Sequence, residues 1–205
     1  MGKLKANKQQ KLTSLLNTAF NLFTTQGVTK TSIAEISQKA GIAKGTFYLY
    51  FKDKYDIRNR LISHESSKLF KNAVADLEEF SKEKNEQLGF EEKIIFIINH
   101  IVDELNSNQT LLTFISKNLS WGIFKEALTT KVASDDINFK DVYYEMINAE
   151  DISLEEPEIM LFLIVELVSS TCYSAILYKE PADIDTIKPY LFKTVRAIIK
   201  EHTIR

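Results

Sequence analysis

The chain has 205 residues, 44% of them hydrophobic and 26% charged, with a net charge of −2 at pH 7. That composition excludes a low-complexity chain and is long enough to bury a sizeable core in one or two domains. Cys172 is the only cysteine, so no intrachain disulfide forms and a reducing cytoplasm is the expected location. The start MGKLKANKQQ has no apolar segment behind its lysines. The most apolar run, IMLFLIV at 159–165, ends at Glu166, short of the ~18 residues of a membrane span.

In chain order the pattern is helical almost throughout, so the expected fold is all-α with about nine helices. Leu12, Leu15, Leu16, Ala19, Phe20 and Phe23 recur at helical spacing, and Gly27 stands where a helix-ending glycine belongs. A short helix follows from about Ser32 to Ala40, with Ser32 and Glu35 as a capping box and Gly41 as its stop. The next runs from about Ala43 to Phe51. A long fourth helix opens at Asp53, a good N-cap, and carries apolar residues through Phe80. Residues 81–90, SKEKNEQLGF, read as a loop. Beyond it, helices are expected at about 91–106, 109–128, 135–149, 155–179 and 185–203, with Pro189 early in the last, where a missing N–H is best tolerated. No run of β alternation, internal repeat or low-complexity tract interrupts them.

Charge is distributed unevenly. Residues 1–60 carry eleven Lys/Arg against three acids, net +8, whereas residues 61–205 carry fifteen against twenty-five, net −10. A basic module that meets a polyanion, joined to a body that does not, is one reading; a solvated basic arm is the bland one. The basic third also contains a helix, a short turn with glycine, and a second helix at 32–51, the size and punctuation of a helix-turn-helix. In that motif the second helix enters the major groove and the first lies across the backbone.

The run TSIAEISQKAGIAKGTFYLYFKDK resembles the DNA-binding signature of the TetR/AcrR family of bacterial transcriptional regulators. The matching residues are Ile36, Ala40, Gly41, Gly45, Tyr48, Tyr50, Phe51 and Lys54, and the resemblance covers about 45 residues with the preceding amphipathic helix. Three positions depart from it: Ser32 for a threonine, Ser37 for a small apolar residue, and Ala43 for a serine, where alanine cannot cap the recognition helix. Carried onto this chain, the resemblance implies a DNA-binding domain at 1–53 and a ligand-binding and dimerisation domain at 54–205. It implies phosphate contacts from Thr31 and Ser32, base contacts from Lys44 and Thr46, and close approach at Gly45. Backbone contacts are expected from Tyr48, Tyr50 and Lys54, with long-range attraction from Lys30 and Lys52. Phe47 and Phe51, four apart, read as core.

One helix-turn-helix seldom binds tightly alone, so a dimer on a palindromic operator is expected. The resemblance places its interface on the last two helices; EIMLFLIVELVSSTCYSAIL, apolar on nearly every face, agrees. It also implies a small-molecule inducer in the body that acts by population shift through the long fourth helix. Candidate ligand contacts are Phe96, His100, Phe114, Trp121, Phe124, Tyr143, Tyr144, Glu166 and Tyr173, each of which, taken singly, reads more readily as core or surface. Glu166 needs a partner, water or the dimer axis. No cofactor is expected. An enzyme has little support: no phosphate loop, metal-spaced Cys/His set or nucleophile–base pair is present. The remaining alternative is control by a protein partner rather than a small ligand, which the acidic body permits.

Overall fold

The computed structural model describes residues 2–85, 87–118, 138–150 and 152–204. These form nine helices and no strand; an isolated bridge between Leu154 and Thr203 is the only β pairing among them. The helices are α1 (Gly2–Gln26), α2 (Ile33–Lys39), α3 (Lys44–Phe47), α4 (Lys54–Lys84), α5 (Phe90–Ser107), α6 (Gln109–Asn118), α7 (Phe139–Asn148), α8 (Pro157–Leu177) and α9 (Ile184–His202). The described residues divide into two compact units, the first comprising those up to Ser66 together with Asn118 and the second beginning at Ser67, so a division falls inside the continuous helix α4.

In the first unit, α1 buries Leu15, Leu16, Ala19, Leu22 and Phe23, the face that the helical spacing predicts. Ile36, Phe47, Phe51, Ile57 and Leu61 complete that core. The helix starts at Gly2, ten residues before the apolar stripe; no proline or glycine opposes its backward extension through LKANKQQK. Gly27 ends it with φ at +83°, a conformation that costs other residues dearly. The fourth helix opens as expected, with the Asp53 carboxylate accepting the Tyr55 and Asp56 N–H groups at 2.7 and 2.9 Å. It closes later than expected. Ser81–Lys84 continue the helix, because a charged stretch with i,i+4 partners is a solvated helical face as readily as a loop.

In the second unit, Phe70, Ala73 and Leu77 of α4 and Ile97 of α5 form a buried cluster, on which Phe139, Val142 and Met146 of α7 pack. The Glu150 carboxylate accepts the Phe90 N–H at the start of α5 and pairs with Lys93 at 2.6 Å, tying the end of α7 to that helix. In α9, Asp183 caps the first turn, and Ile184, Leu191, Val195 and Ile199 face inward. The helix continues through Pro189. The second unit also holds a difference from the sequence reading. By length and composition α8 is apolar enough to cross a membrane. Counting consecutive apolar residues missed this, because Glu166 and the hydroxyl residues after it interrupt the run. Met160, Leu161, Ile164, Cys172, Ala175 and Ile176 of α8 are buried against the chain itself.

Candidate nucleic-acid interface

The geometry of the basic unit is set by helix ends. Ser32 has extended backbone and its hydroxyl accepts the Glu35 N–H at 3.1 Å, the expected cap of α2. The Glu35 carboxylate is held below its ordinary range, first by the Gln26 amide at 2.9 Å, then by Lys39 at 3.1 Å, with the Ser32 N–H completing the capping box. Gln26 also donates to the Thr31 hydroxyl, so one amide ties the end of α1 to the loop and to α2. Nothing in the sequence marks this residue; its role depends on where α1 ends. Gly41, with φ at +68°, turns the chain toward α3.

The third helix has four residues, and Ala43 at its N-cap offers no side-chain hydrogen bond. The expected helix to Phe51 is instead one turn followed by tighter turns, closed by Leu49 N–H to the Thr46 carbonyl and Tyr50 N–H to the Phe47 carbonyl. Its position is fixed by two anchors. Phe47 and Phe51 are buried, with ring centroids 5.4 Å apart. The opposite face carries Lys44, Gly45, Tyr48 and Leu49, all exposed, and the half-exposed Thr46. An ideal Cβ on Gly45 would meet nothing within 4 Å, and its φ is ordinary, so the fold itself does not require glycine there. Leu49, which the sequence reading did not single out, is 80% exposed. The available signal was its place one turn after Gly45 and away from both anchors.

The eight expected DNA contacts therefore separate. Ser32, Lys44, Gly45, Thr46 and Tyr48 lie on the outer face of α2 and α3. Three others have their polar groups engaged within the unit. Thr31 is buried, its hydroxyl donating to the Gly27 carbonyl at 2.9 Å. The Lys54 ammonium donates to the Thr29 and Thr31 carbonyls at 2.9 and 3.2 Å. The Tyr50 hydroxyl donates to the Lys8 carbonyl at 3.3 Å. Thr31 and Lys54 thus fix the loop that presents Ser32, and Tyr50 holds α1 beside α3. Lys30, Lys39 and Lys52 are exposed around this face and supply a basic surround.

Seven of the expected ligand contacts, Tyr144 included, lie among the described residues, in several different settings. Phe96 and His100 line an open groove of ≈ 490 Å³ with Asn72, Asp76, Asp103 and Glu104. His100 lies 3.0 Å from Asp76 of α4 and 3.4 Å from Glu104. Phe114 is buried. Tyr143 is buried too, its hydroxyl donating to the Pro157 carbonyl at 3.0 Å; burial, reinforced by Tyr144, pushes its titration well above the usual phenol range. Glu166 is exposed on α8, and Tyr173 shares a hydrogen bond with Tyr178 at 3.0 Å. Trp121 and Phe124 lie outside the described residues. Burial raises the Cys172 thiol to about 12, an effect Lys188 slightly opposes, so it is an uncharged packing group.

The family pattern described as bacterial regulatory proteins, tetR family, matches residues 15–61, from the core of α1 into α4. The chain is 42% identical over 55 residues to the HTH-type transcriptional regulator AcrR of Shigella flexneri, covering 27% of this chain and 26% of that protein. It is 31% identical over 93 residues to the fatty acid metabolism regulator protein of Bacillus subtilis (strain 168), covering 45% and 44%. The chain thus spans less than half the length of these curated relatives. Solved structures match over nearly the whole chain. The transcriptional regulator FadR of Bacillus subtilis in complex with stearoyl-CoA superposes with a TM-score of 0.60 at 18% identity, covering 89% of this chain and 96% of that one. A TetR-family transcriptional regulator of Syntrophomonas wolfei gives 0.62 at 18%, covering 95% and 96%. At these identities the likeness is one of fold.

Proposed function

We propose, from the premise that residues 15–61 form a DNA-binding domain of the tetR family of bacterial regulatory proteins, that this chain is a sequence-specific transcriptional regulator. In this reading it is a cytoplasmic repressor that binds a palindromic operator as a homodimer and is released by a small ligand. The observation that carries it is the outer face of α3: Lys44, Gly45 and Tyr48 exposed on a helix whose inward residues, Phe47 and Phe51, are fully spent on anchoring. Lysine donates to guanine O6 and N7, and threonine at position 46 donates to a base edge or packs on a thymine methyl. Ser32 and the first N–H groups of α2, together with Tyr48, take phosphates and set the register.

The dimer reading rests on the outward side of α8 and α9. Ile159 and Leu163 are 50% and 42% exposed, and Tyr190 of α9 is 69% exposed. With Glu166 and Ser170 the α8 positions run at spacings of four, three and four, one continuous helix face. A second copy covers such a face through an isologous contact. The ligand reading draws support from the fatty acid regulator named above. The described groove at His100 is lined by Asp76, Asp103 and Glu104, with Asp103 paired to Lys188, so it suits a neutral or cationic group better than an anionic one.

The test is selection of duplexes from a random pool by the full-length protein. The expected product is a palindrome whose binding falls steeply with salt. Lys44→Ala with Tyr48→Ala should abolish preference for it while the dimer persists in sedimentation. Selection of no sequence, or unchanged binding by the double variant, would sink the assignment.

A further inference from the structure

The DNA-binding reading leaves Leu49 without a task, and no reading of the fold supplies one. At 80% exposure it is the most exposed large hydrophobic side chain among the described residues. It sits at a particular place. Phe47 and Phe51 are buried and mark the inward side of this segment, and Leu49, midway between them, is turned away from it. Gly45, four residues earlier, is exposed as well. Glycine weakens a helix relative to alanine, yet here neither φ nor crowding calls for it, since a Cβ would meet nothing within 4 Å. The centre of the outer face is therefore an apolar strip without bulk at its first position and with a leucine at its second. Lys44 and Tyr48 flank it on one side and Thr46 on the other.

We propose that Leu49 is a specificity-determining residue that packs against the C5-methyl of a thymine in the major groove, with Gly45 clearing the approach. Continuity with the polar face of α3 selects DNA as the occupant. Among features that bases present in that groove, the thymine methyl is the apolar one, and donors and acceptors make up the rest. A leucine has nothing to offer those.

This inference rests on the proposed DNA-binding function, and the experiment separates the two. The duplex selected by the wild-type full-length protein is resynthesised with deoxyuridine replacing each thymine in turn, which deletes one methyl and keeps every hydrogen-bonding group. The wild type should lose binding about fourfold at one thymine per half-site, the effect of one methyl group left in water. Leu49→Ala should be indifferent to that substitution while still discriminating elsewhere, and Leu49→Met should recover part of the sensitivity. Its melting temperature should match the wild type, since Leu49 supports no core. The inference is overturned if the selected half-site lacks thymine, if no deoxyuridine affects the wild type, or if Leu49→Ala shows the same loss at the same position. Any of these leaves the parent reading standing; failure of the wild type to select a duplex removes both.

Discussion

Helices α3 and α8 are built in opposite ways. The first has four residues, no side-chain cap and far less length than the ~12–15 residues an independent helix needs. It exists because Phe47 and Phe51 are buried. The second has twenty-one residues and is apolar on all sides, so hydrophobic pattern alone could not say which side faces in. Both have an outward face that is exposed among the described residues, and these faces differ chemically. On α3 it carries an ammonium, hydroxyls and a glycine amid exposed lysines. On α8 it carries Ile159 and Leu163. Burial within one chain accounts for the inward residues of both helices; under the proposed function the outward ones meet two different partners, a polyanion and a second copy.

The largest expected effect breaks the first helix from inside. Phe47→Ala removes a fully buried ring and should destabilise the basic unit by about 3–5 kcal/mol. Operator binding should vanish with it. Amide exchange should show loss of protection in α1–α3, while sedimentation still reports a dimer. A dimer lost in this variant would mean that α8 does not work independently of the first unit.

Next in size is a change on the outside of the second helix. Leu163→Glu sets a carboxylate near Glu166 on a face proposed to meet its own symmetry copy. Like charges across such an interface cost several kcal/mol, so the dimer constant should rise by about a hundredfold or more. The isolated chain should fold as well as before, because Leu163 is already exposed. Sedimentation equilibrium reads the first outcome and circular dichroism the second.

These two helices also show how far the sequence was legible. The inward face of α3 was readable because two phenylalanines four apart in a short basic segment have one sensible destination. The outward polar residues were readable through their spacing after Gly41. Thr31, Tyr50 and Lys54 are expected at phosphates, and in the structure their polar groups bond the unit's own backbone carbonyls. A hydroxyl or ammonium near DNA has the same residue type whether it bonds a phosphate or a loop, and only the loop's path decides. On α8 the lack of periodicity hid the inward side, and with it the choice between a partner, water and the dimer axis for Glu166, which is exposed. The candidate ligand residues were hard to separate from the core for a related reason: aromatic residues on amphipathic helices fill cores as readily as they line cavities.

Two small substitutions should separate fold from function within the basic unit. Ser37 is buried on α2 and its hydroxyl has no hydrogen-bond partner among the described residues. Ser37→Ala should therefore stabilise the unit by about 1 kcal/mol and leave DNA binding unchanged. Gly45→Ala should stabilise it by about 0.5–1 kcal/mol, since the added methyl has room, but should weaken operator binding because the methyl stands where DNA approaches. Parallel urea titrations and binding curves read both. If Gly45→Ala binds as the wild type does, the close approach at that position is wrong.

The smallest effect is electrostatic and compares one cap in each unit. Glu35 lies below its ordinary 4.5, chiefly through the Gln26 amide, and Asp183 lies below its ordinary 3.8, chiefly through the Thr186 N–H. A carboxylate whose folded value is depressed stabilises fully above its unfolded value and loses that contribution as pH falls through the folded one. Protection of α2 should therefore be flat near neutrality and start to decline below about pH 4.5, and that of α9 only below about 3.8. Glu35→Gln keeps a side chain able to complete the capping box but cannot titrate. It should lower α2 protection slightly at pH 7 and flatten its acid decline, leaving α9 as in the wild type. An unchanged acid decline in α2 would show that the box works there through its hydrogen bonds alone, without help from charge.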